Sequence, residues 1–154
     1  MARFSARDRS TDVVRADQAD LWAALTDPEL LPQLTPYLHS IDVDGDLWRW
    51  NMVRIPVLGV SVAPSFTERM SFEEPRRIGF THDPQSGPEK AGVEGTYLLE
   101  KVDGGTRLSI DIDICVDLPL PGMARGAVER AMRGVIAAMG RRFAANLLRH
   151  LSNG

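Results

Sequence analysis

The sequence predicts an α+β fold: a curved antiparallel sheet of about seven strands wrapped around one long C-terminal helix, with two short helices after the first strand. Three observations lead there. From His39 to Leu118 apolar side chains recur at every second residue, the strand period, and turn signals interrupt them at meander intervals. From Gly122 onward the period becomes three to four, with Val128, Met132, Val135, Ile136, Met139, Phe143, Leu147 and Leu151 forming one stripe along a helix. Ahead of the meander stand two compact helix starts. At ~1.5 Å per residue the last helix would run roughly 45 Å, so it must lie across the body of the protein. A sheet with one apolar face is the partner that stripe needs.

Residues 3 to 14 alternate weakly and are expected to form a first, partly exposed strand. Asp17 is placed to cap a helix carrying Leu21, Trp22 and Leu25, with Asp20 three residues on as a capping-box acid. Asp27-Pro28 restarts the chain, predicting a second short helix over Glu29 to Leu34. Asp44-Gly45 reads as a two-residue hairpin turn, setting Ile41 opposite Trp48 and His39 opposite Trp50. An irregular segment at 53 to 65 follows. FTERMSF then places Phe66, Glu68, Met70 and Phe72 on one face, and RRIGFTHD groups Ile78, Phe80 and His82. Residues 83 to 92, rich in Pro and Gly, predict a long exposed loop. Gly95, Tyr97 and Leu99 share one side of the next strand, and Asp103-Gly104-Gly105 turns the chain. In the last strand Leu108, Ile110, Ile112, Ile114, Val116 and Leu118 alternate with mostly polar partners, giving one buried face and one wet one.

The chain has 154 residues, 44% hydrophobic and 25% charged, which suits a globular domain with a real core. No repeat, linker or low-complexity tract divides residues 1–154, so one domain is expected. The opening MARFSARDRSTDVV lacks the apolar core of a signal peptide, and nowhere do eighteen apolar residues run together. A cytoplasmic protein is expected. Cys115 is the only cysteine, which excludes an internal disulfide and a multi-cysteine zinc site. A net charge of -3 argues against a nucleic-acid partner. Residues 122 to 154 nevertheless carry six Arg and one Glu, so the acidity resides in the first 121. Those arginines are expected to be a solvated helix face making ion pairs with the acidic sheet.

The order of strand, two short helices, about six strands and a long C-terminal helix resembles the helix-grip fold of the START/Bet v 1-like (SRPBCC) superfamily. VVRADQADLWAALTDPELLPQLTPYL is similar to the opening segment of its polyketide cyclase/dehydrase-like members, and GTYLLEKVDGGTRLSI to their penultimate hairpin. The resemblance covers nearly the whole chain. It implies a cavity between sheet and helix that holds a lipid, a quinone, a polyketide or another hydrophobic molecule. Fold alone does not assign the chemistry.

Two polar side chains interrupt the apolar alternation of the meander, Glu68 and His82. A short turn at Glu74-Pro75-Arg76 sets Phe72 opposite Ile78, Met70 opposite Phe80 and Glu68 opposite His82. Inside a cavity, such a carboxylate would raise the His pKa and orient its ring, as a general acid/base pair or a polar anchor. At the rim the two would form a hydrated salt bridge. Trp48, Trp50, Phe66, Phe80 and Tyr97 supply the aromatic area of the same face, and Met52, Met70, Met132 and Met139 add adaptable surface. With Ile112, Val135, Ile136 and Phe143 they are the ligand-binding candidates, although plain core would use the same residues. Glu68, His82 and Tyr97 are the catalytic candidates. Arg54 would reach an acidic group at the mouth, or simply face solvent. Cys115 falls on the wet face with no base beside it and is read as incidental.

The sequence contains no G-x-S-x-G, no H-E-x-x-H, no phosphate loop and no dinucleotide fingerprint. His39, His82 and His150 lie on different elements without ligand spacing, so neither a metal nor a cofactor is expected. Three functions follow in order of support. The first is binding or carriage of a small hydrophobic ligand, and the second a cyclase- or dehydratase-type enzyme using the same cavity. The third is a protein-interaction module acting through the arginine-rich helix. A monomer or weak homodimer is expected, because the exposed faces are so charged.

Overall fold

In the computed structural model, which describes residues 2–153, seven antiparallel strands form one sheet and a 29-residue helix crosses its inner face. The strands are β1 (Ala2–Val14), β2 (Leu38–Asp44), β3 (Leu47–Met52), β6 (Ser65–Glu73), β7 (Arg77–His82), β8 (Ala91–Val102) and β9 (Gly105–Leu118), in the order β1-β9-β8-β7-β6-β3-β2. Two short helices, α1 (Gln18–Leu25) and α2 (Leu31–Leu34), follow β1, and α3 (Arg125–Asn153) closes the chain. This is the helix-grip arrangement. β6, β7, β8 and β9 are consecutive neighbours, as a meander requires, and β1 returns to pair with β9 along its whole length, from Ala2↔Leu118 to Val14↔Thr106.

Local chemistry explains most boundaries and corrects several. Asp17 stands at the N-cap of α1 but makes no side-chain cap bond. Asp27 caps the next turn, its Oδ1 accepting from the Glu29 and Leu30 amides at 2.9 and 3.2 Å, yet regular helix begins only at Leu31. The first hairpin turns at Gly45-Asp46 rather than Asp44-Gly45, with Asp44 opposite Leu47 and Val43 opposite Trp48. Gly45 takes φ 63° at the first loop position, where glycine has no steric penalty. The slip is two residues, so every side chain keeps its predicted face. His39 faces no Trp50; it sits in an irregularity between Leu38 and Ser40 and is exposed. The segment expected to be irregular holds a small separate hairpin, β4 (Ile55–Val57) and β5 (Val60–Val62), turned by Leu58-Gly59 with both residues at positive φ. The β6–β7 register is the predicted one, with Phe72↔Ile78, Met70↔Phe80 and Glu68↔His82.

The helix stripe is anchored at two places. Near the start of α3, Val128 and Met132 pack with Phe4, Val57, Phe66, Val116 and Leu118. Toward its end, Leu147 joins Leu21, Leu25, Leu31, Leu34 and Leu38 from the short helices and β2. Asn146 Nδ2 also donates to the Leu34 carbonyl at 2.8 Å. Between the anchors Val135, Ile136, Met139 and Phe143 are only half-buried, although they lie on the same stripe. Among the described residues the arginines of α3 make no ion pair with the acids of the sheet. Among the described residues Arg125 bonds Glu129 within the helix and the Arg3 carbonyl, and the other five make no ion pair. The acids of the sheet are taken by its own arginines, Arg3 with Asp117 and Arg7 and Arg9 with Asp111, a register in which strand neighbours outcompete a distant helix face.

Candidate functional site

Inward parity on β3, β6, β7, β8 and β9 brings aromatic and branched side chains beneath the middle of α3. The helix cannot fill the concave space they leave. A cavity of about 210 Å³ results, walled by Trp50, Met52, Phe66, Met70, Phe80, Tyr97 and Ile112 from the sheet and Ile136, Met139 and Phe143 from α3. A smaller lobe of about 150 Å³ lies toward the β4–β5 hairpin, lined by Ile55, Val57, Val62, Met132 and Val135. The two share Met52, Phe66, Val93, Ile114, Ile136 and Met139 as walls, so they lie side by side under the helix. Trp50 stacks on Phe66 with centroids 6.4 Å apart and planes 8° from parallel, while Phe80 meets Tyr97 edge-on at 5.3 Å.

Glu68 is the polar feature of this wall. It is 1% exposed, it lines the larger lobe, and its Oε2 has no hydrogen-bond partner. Burial pushes its carboxyl up to about 9, with the charges of Glu94 and Glu89 adding to the effect and only the Val93 backbone opposing it. At neutral pH Glu68 is therefore a protonated acid in an apolar cavity. Tyr97 is pushed up to about 12 by burial, then by Glu68 and by Asp8. The indole Nε1 of Trp50 is likewise buried without a partner.

The Glu68–His82 pairing holds for the backbone but not for the side chains. His82 turns away from the cavity, and its Nε2 lies 2.8 Å from Glu89 Oε1. Its ring rests against Gly92, where an added Cβ would come within 2.5 Å of Nδ1, so glycine makes room for this turn. Glu89 also accepts from the Thr67 amide and hydroxyl, each at 2.8 Å, with Arg49 at 3.7 Å. Burial alone would raise Glu89, but the hydrogen bonds from Thr67 and His82 outweigh it and hold the carboxyl below its ordinary value. Trp48 does not reach the cavity either. It is 4% exposed and filled around by Trp50 at 5.9 Å and Phe72 at 5.8 Å, with Trp22 of α1 packing edge-on against Phe72. Arg54 lies outside as well, donating to Ser61 Oγ at 2.8 Å to brace the β4–β5 hairpin.

A family model described as polyketide cyclase / dehydrase and lipid transport matches residues 6–148. The chain belongs to this polyketide cyclase/dehydrase family. Comparison with curated proteins yields no match. Among solved structures, a conserved protein from Geobacillus kaustophilus superposes with a TM-score of 0.75 at 15% identity, covering 96% of this chain and 95% of that one. A START superfamily protein from Mycobacterium smegmatis gives 0.68 at 16% identity, covering 96% and 97%. The Zhui aromatase/cyclase from a Streptomyces species gives 0.66 at 12% identity, covering 96% and 94%. Likeness at such identities concerns the fold. No helix among the described residues is long and apolar enough to cross a membrane, and no group of three metal-ligating side chains occurs among them.

Sequence reasoning missed Asp8, which lines the larger lobe from β1. Its signal was the parity of Phe4, Ala6 and Asp8, two buried residues followed by an acid on the same face. It also missed Leu25, Leu31 and Leu38, which close the cavity from the short helices and β2. Nothing in their local pattern separates a cavity wall from ordinary core.

Proposed function

We propose that this family member binds or carries a small hydrophobic molecule, of lipid, quinone or polyketide-like type, in the hollow between the sheet and α3. The observation that carries the reading is the apolar cavity beneath the half-buried middle of α3, between two packed anchors. Aromatic walls supply burial, and the few polar groups supply orientation. The ligand-binding residues on this reading are Trp50, Met52, Phe66, Glu68, Met70, Phe80, Tyr97 and Ile112 of the sheet, with Met132, Val135, Ile136, Met139 and Phe143 of the helix. A hollow middle also weighs against an interaction module with a filled core. We place the protein in the cytoplasm, which a lone cysteine suits.

A second reading, a cyclase- or dehydratase-type enzyme, draws support from Glu68, because an acid kept protonated at neutral pH is poised to donate a proton. Tyr97, raised partly by Glu68, is its natural companion there. The test common to both is native mass spectrometry of the protein purified from its own host, before and after denaturation. The expected result is a bound small molecule released on denaturation and absent from an Ile136→Trp variant that fills the cavity. A bare mass in every preparation, with no uptake of added hydrophobic probes, would remove the carrier reading. Turnover that disappears in Glu68→Gln while binding persists would select the enzyme.

A further inference from the structure

Among the described residues two side-chain polar atoms are buried without a partner, Trp50 Nε1 and Glu68 Oε2, and both residues line the same cavity. Glu68 stands opposite Trp48, and Trp50 lies two residues along the same face of β3, one diagonal step from Glu68. A buried donor without an acceptor carries a standing desolvation cost, which a ligand atom of the right kind would relieve. The indole nitrogen can only donate, and the protonated carboxyl can also donate. One oxygen with two lone pairs has the capacity to accept from both. Charge narrows the class further. Among the described residues no Lys, Arg or His lines either lobe, and the titratable oxygens on the larger lobe's wall belong to Glu68, Asp8 and Tyr97. An anionic ligand would enter a low-dielectric space with no counter-charge and with two acids already present.

We propose that Trp50 and Glu68 form a two-donor clamp for the carbonyl oxygen of an uncharged, ring-bearing ligand, and that the same cavity rejects carboxylates and other anions. This rests on the ligand-binding reading above and names the chemical class that site takes. Free fatty acids and acidic lipid headgroups are thereby excluded as occupants of the cavity. Uncharged aromatic or alicyclic ketones are admitted.

Equilibrium dialysis at neutral pH with three probes matched at one ring carbon tests it: acetylnaphthalene, ethylnaphthalene and naphthoate. Acetylnaphthalene should bind about tenfold or more tighter than ethylnaphthalene, which lacks the acceptor, and naphthoate should bind weakest. Trp50→Phe and, separately, Glu68→Leu should each erase most of the ketone preference, about tenfold, read as the ratio of acetylnaphthalene to ethylnaphthalene affinity within the same variant. Glu68→Gln, which keeps a donor, should retain ketone binding within about threefold. Equal binding of ketone and hydrocarbon would overturn the clamp while leaving the cavity reading intact. Naphthoate binding as tightly as the ketone would overturn the charge rule. If none of the three binds, the cavity reading itself fails and the clamp falls with it.

Discussion

The two ends of α3 and its middle are made from the same stripe of residues but do different things. At the ends, Val128 and Leu147 are 0% and 2% exposed, each locked into a separate apolar cluster. In the middle, Ile136, Met139 and Phe143 face a hollow and stay half-buried. Contact is made at these two places, and a hollow remains between them. The lesson is that one amphipathic period can encode both a clamp and a roof. Close packing resides in the ends, and the hollow lies under the middle.

The largest expected effect compares truncations along that stripe. Leu147→Ala should lower the unfolding free energy by ~2–5 kcal/mol in urea titrations, as for a filled core site. Met139→Ala should cost under ~1 kcal/mol, because its neighbours already border empty space. Equal losses would mean that the middle is packed and the comparison is wrong.

Next comes the acid beneath the roof. Glu68 has a folded-state value near 9 against an ordinary 4.5, so the folded state holds the extra proton. Its stabilising protonated form is fully available below about 4.5 and is lost as pH rises through about 9. Glu68→Gln should therefore be stabilising by roughly 5 kcal/mol near pH 8 and nearly neutral near pH 4. A pH-independent difference between wild type and variant would show that the carboxyl is hydrated.

Glu89, on the loop between β7 and β8 and bonded to Thr67 and His82, should behave with the opposite sign. Its depressed value means that its contribution is present above the ordinary carboxylate range and fades as pH falls through the folded-state value. Glu89→Gln should cost about 1–2 kcal/mol near neutrality and progressively less in acid, because Thr67 and His82 lose a charged acceptor. Thermal melts across pH would separate the two carboxylates by the direction of their slopes. The smallest effect belongs to the outer face of α3. Arg141→Gln should leave the unfolding midpoint unchanged within error, since Arg141 has no ion-pair partner among the described residues. A measurable loss there would reveal a role for that face beyond solvation.

The sequence by itself determined the period of the meander strands and of the long helix, their order and, through the β6–β7 turn, even the pairing of Glu68 with His82, while the β4–β5 hairpin escaped it. Those are local properties: side-chain alternation, helical spacing and the chain length of a turn. The two-residue slip at Gly45 also did no harm to the faces, because strand parity repeats every second residue. Tertiary structure alone decided that His82 leaves the inner face for Glu89 across the room left by Gly92, and that Trp48 is consumed by packing with Phe72. It also decided that Asp8, distant in the chain, joins Glu68 on one cavity wall. A cavity is the difference between two nearly matched surfaces, here the sheet and the helix laid across it. No periodicity in a single chain records that difference, because it exists only where the surfaces meet.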